Sequence, residues 1–269
     1  HTGSLSGGDE IYNSLFDHLG IVRVSNPHEF LETLKFLCIS GSVAGNKVAA
    51  FTCSGGGATM LADYAEKIDL KFNQPSNKVS NVLEKLLPLT ATVSNPLDYT
   101  TPIWGQPEKT GPVFNTFFHD NYDAAILVQD YLPPNINELN KFYLYDAKAF
   151  IKEAKLKNLP TIICSTVPEN NDPDISNFFV SQGVTPMQGL EEALNAINRS
   201  YKFYQRHQDF LLGKVKVKKS IKGYFAKKNT EPKKILKEFR VASTENYKEG
   251  NEFGLEIFKD IKFVDIKSK

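Results

Sequence analysis

Residues 51–67 read FTCSGGGATMLADYAEK and set three adjacent glycines between a short apolar run and a helix-like run. At the C-terminal end of a parallel strand, a glycine-rich turn into a helix leaves backbone N–H groups unpaired at the helix start, with the positive end of the helix dipole behind them. That arrangement seats an anion. Ser54, Gly55, Gly56, Gly57 and Ala58 would form the seat, the missing side chains letting a phosphoryl group approach the backbone. A tight strand-to-helix turn is the plainer alternative for the same residues. No Gly-Lys-Ser/Thr follows as in a P-loop, and the spacing is not that of a dinucleotide-binding fingerprint.

Other reactive side chains offer less. Cys38, Cys53 and Cys164 are far apart in apolar contexts and read as buried reduced thiols. His18, His28, His119 and His207 have no ligand spacing, and no metal site is expected. Asn95 and Asp98, in SNPLDYT, are turn formers that could close a strand end or support a site. Trp104 and the Phe-rich segments read as core.

The elements that must position these residues alternate. Residues 47–53, 123–131 and 159–166 are too continuously apolar for half-exposed strands and read as buried strands of a parallel sheet. Helical spacing appears in ATMLADYAEKI, NKVSNVLEKLLP, YDAKAFIKEAKLK, ISNFFVSQG and GLEEALNAINRSYKFYQRHQ. The expected fold is therefore an α/β doubly wound parallel sheet. Residues 1–44 read separately, as a loop, a helix DEIYNSLFDHLG, a short strand IVRVS and a helix NPHEFLETLKFL capped by Ser25 or Asn26. After Gly213 the chain is lysine-rich with little apolar pattern, as in a solvated linker, and helix and strand character returns near residue 251.

The 269 residues can bury a substantial core, and 41% apolar with 23% charged residues is an ordinary soluble composition. No apolar run approaches the ~18 residues of a membrane span, and no signal-peptide pattern opens the chain, so a cytoplasmic protein without a membrane partner is expected. A net charge of +1 gives no overall pull toward nucleic acid. That total hides an asymmetry, because half of the Lys and Arg follow Gly213.

Three motifs in order carry a resemblance. HTGSLSGGDEIYNSLFDHLGIVRV at the start closely resembles the phosphohistidine segment of NDP-forming acyl-CoA synthetases, the succinyl-CoA synthetase-like superfamily. SGGGATMLAD is similar to that family's SGGxGVLAAD, departing at Gly57, Ala58, Thr59 and Met60. LLPLTATVSNPLDYT is similar to its LLPxxAsxxNPVDLT and keeps Asn95, Pro96 and Asp98. Together they cover about residues 1–205.

The resemblance implies an ADP-forming acid–thiol ligase. ATP would phosphorylate His1, the phosphoryl group would pass to a carboxylic acid, and the thiol of coenzyme A would displace it from the acyl phosphate. Neutral imidazole suits this shuttle near pH 7. Ser54–Ala58 would be one half of a clamp on the phosphohistidine, with Asn95 and Asp98 as site support. The implied organisation is residues 1–44 as phosphohistidine segment and tail of a preceding CoA-ligase domain, 45–210 as a flavodoxin-like domain, and 211–269 as a basic linker toward an ATP-grasp domain. ATP with Mg2+ and coenzyme A would bind mainly outside this segment, on CoA-binding and ATP-grasp domains in the same or another chain, and a homo-oligomer is expected. Competing readings are a catalytically silent interaction or regulatory subunit, or part of a CoA-dependent protein acetyltransferase. Members of the latter kind lose the histidine, so His1 favours the synthetase.

Overall fold

Five short segments run parallel and pair side by side in a computed structural model that describes residues 9–133 and 136–212. They are β1 (Val48–Thr52), β2 (Leu97–Asp98), β3 (Ala124–Val128), β4 (Thr161–Ser165) and β5 (Thr185–Gln188), in the order β2-β1-β3-β4-β5. The three expected central strands are all present and parallel. Their character follows from burial on both faces: every residue of β1, β3 and β4 is buried.

Ala49 and Phe51 of β1 face one core, while Val48 and Ala50 face the other. The first core is closed by α4 (Asn77–Leu86), α5 (Pro107–Phe117), α6 (Asn140–Leu156) and α7 (Pro173–Ser181). The second is closed by α2 (Pro27–Ile39), α3 (Gly55–Ala65) and α8 (Leu190–Leu211). Phe51 anchors the first core, with its ring 4.7 Å from Phe117, 5.1 Å from Phe114 and 5.6 Å from Phe150 in edge-on arrangements. Each such pair is worth about 0.5–1.5 kcal/mol beyond area burial, so the residue three before Ser54 is held rigidly.

Two edge strands escaped the sequence reading. β2 has only two residues, and β5 contains Pro186, which has no N–H to donate and is tolerated because β5 lies at the sheet edge. Helix α5 also went unread, its pattern interrupted by Gly111 and Pro112.

The expected strand IVRVS is not one. Residues 21–24 have no regular structure. Gly20 turns the chain at φ 69° after α1 (Asp9–Leu19), and the Ile21 N–H bonds back to the Phe16 carbonyl, which closes the helix instead of starting a ladder. Asp9, at the start of α1, pairs with Arg23, which pulls its carboxyl below the usual range. Asn26, not Ser25, caps α2, its side chain accepting from Glu29 N at 2.9 Å.

The packing shows no break between residues 44 and 45. Phe36 of α2 lies in one cluster with Ala193, Leu194 and Ile197 of α8. Glu29 accepts from Arg199 at 2.7 Å, and Ser200 Oγ accepts from Val43 N at 3.0 Å. The chain divides into units His1–Gly213 and Lys214–Lys269, and the described residues all lie in the first. The residues expected to form the basic linker, 211–269, fall outside the described residues from 213 onward. Among the described residues, no helix is long and apolar enough to cross a membrane.

Candidate functional site

Doubly wound sheets bind ligands beyond the carboxyl ends of their strands, where the strand order reverses. With the order β2-β1-β3-β4-β5 that reversal falls at β1 and β3, and the chain leaving β1 runs directly into the glycine triplet. Ser54 caps α3, its Oγ accepting from Gly57 N at 3.5 Å. The Ser54 N–H is taken by Thr52 Oγ1 at 3.2 Å, and the Ala58 N–H by the Ser54 carbonyl at 3.1 Å. The outer two of the five expected residues therefore have no free N–H to offer. Gly55 and Gly56, the first two residues of the helix, have no intrahelical acceptor for theirs, and the Gly57 N–H is held only by the long bond to Ser54. The seat narrows to these three glycines.

Only one of the three is required by packing. A Cβ on Gly57 would lie 2.8 Å from Thr52 Oγ1, whereas one on Gly56 would meet nothing nearer than Ser54 Oγ at 3.6 Å. The missing side chain at Gly56 clears space in front of the backbone, and at Gly57 it lets the helix sit on β1.

Asp98 lies beside the start of α3. Register pairs it with Thr52, and its Oδ2 lies 3.5 Å from where a Cβ on Gly55 would be. Its Oδ1 accepts from Thr100 N at 2.9 Å. Thr100 has φ 67° and ψ 151°, a conformation that costs a non-glycine residue about 1–3 kcal/mol. The carboxylate is thus held by a strained turn beside the start of α3.

Asn95 is scaffold. β2 reaches only Phe51 and Thr52, leaving the earlier part of β1 without a strand on that side. The Asn95 amide fills the gap: Oδ1 accepts from Ala50 N at 3.1 Å, and Nδ2 donates to Val48 O at 2.8 Å and Asn73 O at 3.0 Å. Gln74 holds the Asn95 backbone through both its N–H and its carbonyl.

Cys53 and Asp146 complete the surroundings. Burial pushes the Cys53 thiol up to about 11, against a hydrogen bond with Tyr143 and with the Asp146 and Asp98 carboxylates adding to the rise. It is a neutral thiol near pH 7, unsuited to act as a nucleophile. Burial also raises Asp146, although Gly105 N, Thr110 Oγ1 and Tyr99 OH all donate to it.

His1 lies outside the described residues, so its distance from the seat is not part of this geometry. Sequence reasoning missed Thr52 and Thr100. A hydroxyl at the end of an apolar strand signals the first, but nothing local signals the second. A separate open groove of ≈ 830 Å³ between α4, α5 and α6 is lined by Val82, Leu86, Gly111, Tyr145 and Lys148 among others, and shares no residue with the seat.

No family model matches the chain. Over 140 residues, 52% of this chain, it is 32% identical to the alpha subunit of ADP-forming acetate–CoA ligase II of Pyrococcus furiosus, covering 27% of that protein. The ADP-forming acetate–CoA ligase of Methanocaldococcus jannaschii is 32% identical over 98 residues, 36% of this chain and 14% of that one. Over these stretches the chain is similar to ADP-forming acetate–CoA ligases. In three dimensions it is similar to acetyl-coenzyme A synthetase 1 of Ca. Korarchaeum cryptofilum, solved with phosphate and ADP, at a TM-score of 0.63 and 18% identity over 81% of this chain and 46% of that one. That likeness establishes the shared α/β fold. A different resemblance occupies 54 residues, 20% of the chain, which are 70% identical to large ribosomal subunit protein uL3 of Pelagibacter ubique and cover 23% of it. The chain spans less than half the length of each of these proteins.

Proposed function

We propose that residues 1 to about 212 are part of an ATP-dependent, ADP-forming acyl-CoA synthetase that activates a carboxylic acid through a phosphohistidine at His1 and an acyl phosphate. The observation that carries this reading is the start of α3, where Gly55 and Gly56 present free N–H groups at the carboxyl end of β1. A phosphoryl group fits there: it is anionic, the helix dipole points its positive end at it, and bare backbone lets it come close. The phosphorylated His1 would place its phosphoryl oxygens on Gly55, Gly56 and Gly57, and backbone donors fixed in advance stabilise the charge that develops as the P–N bond breaks. Asp98 beside the seat opposes any anion there, so it restricts where the oxygens sit; the ring N–H of the incoming imidazole is the group it would accept from. ATP with Mg2+ would supply the phosphoryl group and coenzyme A the thiol, both held by domains other than this one, in the same or a partner chain.

The test is phosphoryl transfer in the enzyme completed with its ATP-grasp and CoA-binding domains. Labelled ATP is expected to leave an acid-labile, alkali-stable phosphoprotein, and His1→Ala to abolish it. Normal labelling and normal acyl-CoA formation by the His1→Ala enzyme would overturn the shuttle.

A second reading, favoured by the uL3 relatives, concerns the rest of the chain. We propose that their 54-residue match lies in the 56-residue unit Lys214–Lys269, so that the chain joins a synthetase segment to one of ribosomal-protein type in place of a lead into an ATP-grasp domain. Charge supports the division: 16 Lys and Arg against 8 Asp and Glu follow Gly213, a net +8, while the preceding residues carry net −7. Binding of ribosomal RNA by the full chain is then expected, weakening steeply with salt and lost when Lys216, Lys218 and Lys219 are changed to Glu. A chain with no affinity for ribosomal RNA at low salt would remove this reading without touching the first.

A further inference from the structure

We draw no further inference here: the strongest candidate, the apolar face that α1 and α2 present through Ile11, Leu15, Leu19, Phe30 and Leu31, carries nothing because nothing in the structure shows what covers it.

Discussion

Gly56 and Gly57 are adjacent, yet substitution should separate them into a functional and a structural position. Gly56→Ala adds a methyl group that meets no close neighbour and removes the conformational cost of a helical glycine, so the fold should gain about 0.5–1 kcal/mol. A bulkier Gly56→Val should leave the fold intact while holding the phosphoryl group off the backbone. In the completed enzyme this should cost roughly a hundredfold or more in rate. Gly57→Val should instead destabilise the fold by about 1–3 kcal/mol, because its Cβ would crowd Thr52. Thermal melts together with acyl-CoA assays check both; a Gly56→Val enzyme that turns over normally would reduce the triplet to a turn.

Asp146 gives a pH prediction. It is fully buried, and its folded pKa is raised by burial above the ordinary 3.8. The unfolded chain therefore releases this proton more easily than the folded one, so stability from this site is complete below the unfolded value and declines as pH rises through the raised folded value. Asp146→Asn removes the ionisation and keeps an acceptor for Tyr99 and Gly105. Urea unfolding should show the variant gaining on the wild type as pH rises above the ordinary carboxylate value of 3.8. A stability difference that stays constant as pH rises would place the titration elsewhere.

At the scale of elements, the seat depends on how the open side of β1 is closed. Asn95→Ala would leave Ala50 N and Val48 O buried without partners, at about 1–3 kcal/mol each. The expected loss is roughly 2–5 kcal/mol in denaturant midpoint experiments, with any remaining folded enzyme keeping its phosphoryl chemistry. A stable Asn95→Ala protein that is catalytically dead would assign the side chain to the reaction rather than to the strand.

For the whole molecule, the proposed chemistry needs groups that the described residues do not hold together. The seat and the α4/α5/α6 groove share no residues, and the relatives extend well beyond the matched region. Positioning of two reactants supplies much of the rate of any ligase. The isolated 269-residue chain should therefore neither turn over ATP nor form acyl-CoA. Assays of ADP release and acyl-CoA formation by the chain alone check this directly, and turnover of either kind would refute it.

What the sequence determined by itself follows from burial on two faces. β1, β3 and β4 contact core on both sides, so their residues are apolar without interruption and readable one strand at a time. The place of the glycine triplet between a strand and a helix was readable too, since an apolar run followed by a helical pattern brackets it. The tertiary structure decided the rest. β2 and β5 are edge strands, one of two residues and one carrying Pro186, and they exist because a neighbouring strand supplies the ladder. Residues 21–24 carry a β-like pattern but pair with no strand, the Ile21 N–H closing α1 instead, and α2 belongs with α8 because their apolar faces meet across more than 150 residues of chain. Asn95 and Asp98 stand three residues apart in one motif, and only the parallel register separates their roles. It places the amide beneath the open edge of β1 and the carboxylate beside Gly55, because hydrogen-bond partners across a sheet are set by pairing in space and not by distance along the chain.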